Sequence, residues 1–257
     1  MDLEAVTTWA PTILLVTGRV AGMVLLAPVF GSPAVPVKVR LIVSAAMALG
    51  VVSRLAGPVA SPGGAAELAV GLGGEVAIGV AIGFAARVIF TGVELGALHV
   101  GSQVGLGLAG AVNPVSADTP TSVRGLFGML AAVVFLAVGG HRALIAGLLG
   151  TFELLPPLGF SPDGGLLDVV TGCLAASFVL ALRVAAPVLV ALLLATVALG
   201  LLHRAVPQCN VLTVGLPVRV LLGLTALAAS LAAIAPLMED AAGQLGKSIR
   251  DLAAAAG

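Results

Sequence analysis

Long apolar stretches alternate with short breaks of proline, glycine and polar residues along the whole chain. Each apolar run ends at a break such as GSPAVPVKVR or PPLGFSPDGG. A helix that crosses a bilayer needs about 20 predominantly apolar residues, so the pattern predicts membrane helices, about five to seven of them. The predicted helices are approximately 13–30, 41–52, 67–107, 125–138, 143–155, 166–202 and 211–237, followed by a mildly amphipathic tail.

Composition agrees with a membrane protein and excludes several other classes. The 257 residues are 60% hydrophobic and 9% charged, with a mean hydropathy of +1.19 and no net charge. These charges are too few to cover the surface of a soluble enzyme, and the hydrophobicity is too high for a disordered chain. A chain without net charge has no field that attracts nucleic acid. We therefore expect an integral membrane protein that contacts lipid and no nucleic acid.

The predicted helix at 67–107 combines small residues with charges. Six of the 34 glycines occur there in pairs four residues apart, a spacing that lets helices pack closely in a membrane. Because a charge inside a membrane needs a partner or water, we expect the charges of this helix to be buried and paired in an assembly. Ordinary packing within one bundle remains the alternative for this helix. The glycines are Gly79, Gly83, Gly92, Gly96, Gly101 and Gly105, and the charges are Glu75, Arg87 and Glu94.

Motifs for catalysis are weak or missing. GLGLAG at 105–110 has the G-x-G-x-x-G spacing, but it follows a helical pattern without a preceding strand, so we reject nucleotide binding. The three histidines lack metal-ligand spacing, and no G-x-S-x-G motif is present. We therefore expect no enzymatic activity, no cofactor and no metal.

Proline positions favour a protein that forms a pathway. Pro187 interrupts an apolar run, and broken membrane helices are typical of channels and transporters. A small-molecule secondary transporter is the rival function. It should show two comparable halves. Residues 1–128 and 129–257 show no convincing repeat.

Four segments, in this order and spacing, resemble the FliR family of export-gate proteins, which flagellar and virulence type III secretion systems share. The PQCNV stretch and the following GLPVR look more like the flagellar branch, and a virulence export-gate homologue remains the alternative. The segments are APVFGSPAVPVKVRL at 27–41, VELGALHVGSQVGLGLAGAVNP at 93–114, VVFLAVGGHRALIAGLLGTFELLP at 133–156 and the stretch 183–224.

The resemblance implies an all-α integral membrane protein whose helical hairpins tilt and pack into a multi-subunit export gate. Residues 1–165 would be FliP-like, 166–238 a FliQ-like hairpin and 239–257 an amphipathic tail. The family assembles as one copy with several copies of FliP and FliQ, among other export-apparatus and basal-body proteins. Unfolded flagellar subunits would pass through this gate in the bacterial inner membrane, within the flagellar basal body.

The resemblance also implies two kinds of functional position. The family's channel plug loop corresponds to residues 106–122, which by composition alone would be an ordinary connector. Its residues here are Leu106, Gly107, Gly110, Val112, Asn113 and Pro114. The candidates for subunit contact are Pro28, Pro36, Lys38, Arg40, Pro207, Gln208 and Asn210.

Overall fold

The computed structural model describes residues 3–32, 35–55, 57–59, 63–104, 121–160, 165–205 and 211–256. Within these ranges the chain forms seven α-helices and no strand, which confirms the predicted all-α class. The helices are α1 (Leu3–Leu26), α2 (Val37–Val52), α3 (Ala65–Val104), α4 (Thr121–Ala137), α5 (Gly140–Leu154), α6 (Gly165–Ala205) and α7 (Val211–Ala255).

The prolines within the two C-terminal helices do not end them. α6 continues through Pro187, and α7 continues through Pro217 and Pro236 to Ala255. The helix therefore runs past residue 238, where hydropathy falls and the amphipathic tail was expected to begin. A proline removes only one backbone hydrogen bond, so neighbouring turns keep a long helix intact when its sides are packed.

The chain divides into two compact units. One contains Met1–Val88, Gly139–Leu174 and Ala241–Gly257, and the other contains Ile89–Val138 and Ala175–Asp240.

Close packing of α1 on α3 forms the centre of the first unit. A Cβ placed on Gly22 lies 2.6 Å from the carbonyl oxygen of Val76, and one on Gly83 lies 2.5 Å from that of Met23. Backbones approach this closely only where both helices present small residues. The predicted glycine spacing therefore serves contacts inside the chain at Gly79 and Gly83.

The end of α7 also packs within the first unit. Ile249 contacts Gly147 of α5, since a Cβ placed on this glycine would lie 2.7 Å from the Cδ1 atom of Ile249. Buried positions recur along this part of α7 every three or four residues, while the charged positions stay exposed. The buried residues are Ala242, Leu245, Ile249, Leu252, Ala253 and Ala256.

The second unit is built around the second half of α3. A Cβ on Gly92 or Gly96 would lie 2.7 or 2.8 Å from a carbonyl oxygen of α6. Phe90 and Phe135 meet edge to face, with ring centroids 5.3 Å apart, and join α3 to α4. The glycines in this half of α3 therefore also serve close contacts inside the chain.

Four helices are long and apolar enough to cross a membrane within the described residues, and a bent pair of helices forms a fifth candidate. α3, α6 and α7 contain 40, 41 and 45 residues. At 1.5 Å per residue they are about 60–68 Å long, roughly twice the thickness of a bilayer core. The bent pair, Val123–Ala137 and Gly140–Leu154, changes direction by 65°. These dimensions confirm an integral membrane protein but differ from a bundle of simple spanning helices.

Candidate functional site

A fully buried ion pair joins α1 to α3 in the first unit. The Nε atom of Arg19, on α1, donates to the Oε2 atom of Glu75, on α3, at 2.6 Å. Both side chains are 0% exposed. The α1–α3 contact places them face to face, because Gly18 and Gly79 leave room for the two helices to approach.

The other guanidinium nitrogens of Arg19 reach the end of α5. Nη1 donates to the Oγ1 atom of Thr151 at 3.2 Å and to the carbonyl oxygen of Leu155 at 3.1 Å. Nη2 donates to the same carbonyl at 3.1 Å, and the guanidinium lies 4.2 Å from the ring centroid of Phe152. Leu155 follows the last residue of α5, so Arg19 gives the carbonyl at the end of this helix a donor while Glu75 neutralises the charge of the guanidinium.

Glu75 holds the turn that follows α5. Its Oε1 atom accepts a hydrogen bond from the backbone nitrogen of Leu158 at 3.2 Å. Leu158 has a φ of 72°, which is unusual for a residue with a side chain. Its side chain lies directly against Gly71. The carboxylate and this apolar contact together stabilise a backbone conformation that costs about 1–2 kcal/mol.

A second ion pair lies in the other unit. Arg124, in the first turns of α4, donates to the Oε2 atom of Glu94 from Nε at 3.0 Å and from Nη2 at 2.6 Å. This pair is more open, since the side chains of Arg124 and Glu94 are 53% and 16% exposed. It ties the start of α4 to the middle of α3.

The C-terminal end of α3 is held by an arginine of α7. The Nε atom of Arg219 donates to the carbonyl oxygen of Gln103, and Nη2 donates to its Oε1 atom, both at 3.1 Å. Beside this contact Val104 packs on Gly223. The arginine thus binds both the backbone carbonyl and the side-chain amide of one residue in the last described turn of α3.

The corner between α1 and α2 is closed by Arg40. Its Nη2 atom donates to the carbonyl oxygen of Ser32 at 2.6 Å, and Nε donates to that of Val35 at 3.1 Å. Pro28 is buried on one side of this corner, whereas Pro36 and Lys38 are exposed. The guanidinium therefore joins Ser32 to Val35, while Pro36 and Lys38 remain exposed beside it.

Comparison with known proteins identifies the family. Residues 10–245 match the bacterial export proteins, family 1. The chain belongs to this family. It is 32% identical over 233 residues to the flagellar biosynthetic protein FliR of Caulobacter vibrioides, which covers 88% of this chain and 90% of that protein. It is 31% identical over 178 residues to the protein of the same name in Escherichia coli, covering 69% and 68%.

A relative from virulence secretion is also similar. The chain is 28% identical over 151 residues to the Yop proteins translocation protein T of Yersinia pestis, covering 58% of each protein. This bacterial export protein thus has relatives named for flagellar biosynthesis and for protein translocation. Its described residues contain no group of three or more His, Cys, Asp or Glu side chains that is placed to hold a metal ion.

The structure places the predicted charges of this export protein in three different environments. Glu75 is buried and paired with Arg19, and Glu94 is half-buried and paired with Arg124. Arg87 is exposed on α3 within the single chain.

The sequence of the export protein does not show which cations pair with Glu75 and Glu94. Arg19 lies in an apolar segment, and the rule that a membrane charge needs a partner was the available signal. The partner itself could not be identified, because 56 positions separate Arg19 from Glu75 in the chain.

Several predicted positions lie outside the described residues. They are the plug-loop residues Leu106, Gly107, Gly110, Val112, Asn113 and Pro114 and the contact candidates Pro207, Gln208 and Asn210. Of the predicted loop at 106–122, the structure describes Thr121 and Ser122, which begin α4. The anchors on both sides of the loop are also described. They are Gln103, which Arg219 holds, and Arg124, which Glu94 holds.

Proposed function

We propose that this protein is a subunit of a flagellar type III export gate in the bacterial inner membrane. The family match over residues 10–245 carries the proposal. FliP-like and FliQ-like subunits, in several copies each, complete the gate in the basal body, and unfolded flagellar subunits pass through it. The chain acts as a channel component rather than as an enzyme.

Helix length supports a role in an assembly. The apolar stretch Leu167–Leu202 of α6 contains an 18-residue window in which only 22% of the residues are buried within the chain. In the corresponding window of α7, 17% of the residues are buried. Helices about twice as long as a bilayer core cannot be covered by lipid along their whole length, so other subunits are needed to cover them.

Co-purification tests the assembly. The tagged chain is co-expressed with the FliP-like and FliQ-like proteins of the same genome, and the detergent extract is weighed by native mass spectrometry. We expect a discrete complex with one copy of this chain and several copies of each partner. A lone monomer or homodimer, with both partners well expressed, would contradict the proposal and favour a secondary transporter.

Within this function, residues 106–122 form the plug that seals the closed gate. Small side chains from Gly107 and Gly110 suit a narrow lumen, and Pro114 disfavours a continuous helix. Deleting residues 110–119 should raise the leak of ions and small solutes across the inner membrane. A deletion of residues 60–62, in another break rich in proline and glycine, is the control. An unchanged leak in an assembled gate would refute the plug.

Arg87 and the loop between α1 and α2 contact neighbouring subunits in the proposed gate. Arg87 is exposed in the single chain, and contact with a neighbouring subunit buries its side chain away from lipid. Arg87→Leu should therefore lower the yield of complex and reduce motility. Normal assembly and normal motility in this variant would contradict the role. The corner at Pro28, Pro36, Lys38 and Arg40 provides further contact positions. So do Pro207, Gln208 and Asn210.

The virulence branch is the second candidate, because the Yersinia relative matches 58% of the chain. Deleting the gene and scoring filament growth separates the two. Loss of flagella supports the flagellar gate, whereas intact flagella with lost effector secretion would support the virulence gate.

A further inference from the structure

The exposed side of α6 carries an arginine in the middle of an apolar surface. Leu182 and Val190 are 64% and 56% exposed, and Val179 is 49% exposed. Arg183 lies among them and is exposed as well. Residues 179, 182, 183, 186 and 190, called here the Arg183 face, project from the side of α6 opposite its buried positions, since residues three, four and seven apart share a helix face.

Arg183 lacks a polar partner in the part of the chain that the structure describes. No hydrogen bond or ion pair joins its guanidinium to another described residue. The residue four positions later is Pro187, which has no N–H, so the carbonyl of Arg183 also lacks its helical donor. One residue thus combines a cation without a polar partner among the described residues and a carbonyl without its usual helical donor.

Lipid alone does not account for this surface. The apolar stretch Leu167–Leu202 contains 36 residues, which corresponds to a length of about 54 Å. A bilayer core about 30 Å thick covers about 26 residues, even of a helix tilted by about 40°. About ten residues of this apolar stretch therefore extend beyond the bilayer core, where lipid tails do not cover them. A guanidinium facing lipid tails is also costly, and such groups pair with other groups in known membrane proteins.

We propose that the Arg183 face binds an apolar helix of a partner subunit that carries an Asp or Glu carboxylate at the level of Arg183. The carboxylate accepts hydrogen bonds from the guanidinium and cancels its charge, and the flanking Ala186 leaves room for close approach. This inference rests on the proposed assembly and adds the chemistry of one contact.

The test compares three substitutions in the full co-expressed complex. Arg183→Leu should lower the recovered complex at least about tenfold, because it leaves the partner carboxylate buried without a cation. Arg183→Lys should retain part of the complex, and Arg183→Glu should abolish it. The exposed Arg250 of the tail gives the matched control, and Arg250→Glu should leave the yield unchanged. Membrane-inserted chain is measured separately, so that failed insertion is not scored as failed assembly.

Two results identify the partner. A suppressor screen on Arg183→Glu should return Asp or Glu to Lys or Arg changes in a partner subunit. A photo-crosslinking residue at Leu182 should crosslink to that subunit, whereas one at Leu180, which is 8% exposed, should not. If Arg183→Leu assembles normally, or if position 182 crosslinks to lipid alone, the inference is overturned while the export gate stands. A wild-type chain that forms no complex would overturn both.

Discussion

Replacing Glu75 by leucine should destabilise the protein far more than replacing Glu94, although each carboxylate lies 2.6 Å from an arginine nitrogen. The difference lies in burial. Arg19 and Glu75 are 0% exposed, so Glu75→Leu leaves an uncompensated cation in an interior without water. Removing one partner of such a pair costs about 3–5 kcal/mol.

The structure adds a second loss to this substitution. The backbone nitrogen of Leu158 donates to Glu75, and a leucine at position 75 offers no acceptor. Leaving that donor unsatisfied costs about 1–3 kcal/mol. Arg19→Met removes the cation instead and leaves Thr151 and the Leu155 carbonyl without their donor. Each single variant should therefore fall in the range of severe destabilisation.

The double variant Arg19→Met, Glu75→Leu provides the decisive comparison. A buried ion pair replaced by apolar residues of similar size is often close to neutral, so the double variant should be more stable than either single variant. The coupling energy from this cycle should exceed about 2 kcal/mol. The matching cycle at Arg124 and Glu94 should give about 0.2–1 kcal/mol, because Arg124 is 53% exposed.

Unfolding by SDS in mixed micelles, followed by circular dichroism, measures these energies. Trp9 is the single tryptophan and lies on α1, so its fluorescence reports on the same helix as Arg19. Equal coupling energies for the two pairs, or additive single effects at Arg19 and Glu75, would refute the argument that burial makes the first pair essential.

Two further predictions compare crowded glycines with open ones. Gly83→Ala should destabilise by about 1–3 kcal/mol in the same SDS titration, because its Cβ would lie 2.5 Å from a backbone oxygen of α1. Gly73→Ala, with open space around it on the same helix, should be neutral or stabilising, and equal effects would show that helix propensity dominates. Gly147→Leu should displace Ile249 and accelerate trypsin cleavage of the C-terminal tail. Gly150→Leu on the same helix has open space and should not, and identical cleavage rates would contradict the docking of the tail on α5.

The lengths of the apolar runs and the breaks between them were sufficient to predict most of the helices. The apolar runs at 67–107 and 166–202 correspond to α3 and α6, whose ends lie within a few residues of the predicted ones. The apolar interior of a membrane requires every backbone group to be bonded within a helix, so hydropathy alone determines secondary structure here. The end of α7 was different, because residues 241–255 pack in the first unit and remain helical although they are only mildly apolar.

The sequence by itself also determined that the charges of α3 need partners and that its glycines mark close contacts. Only the tertiary structure decided which partners and which contacts. Glu75 meets Arg19 across 56 positions, Glu94 meets Arg124 across 30, and Gln103 meets Arg219 across 116. The physical reason is that a helix pattern specifies which residues share a face, whereas the neighbour of that face depends on how distant segments pack. Arg183 has no such neighbour among the described residues, which makes its exposed face the position where another subunit is expected.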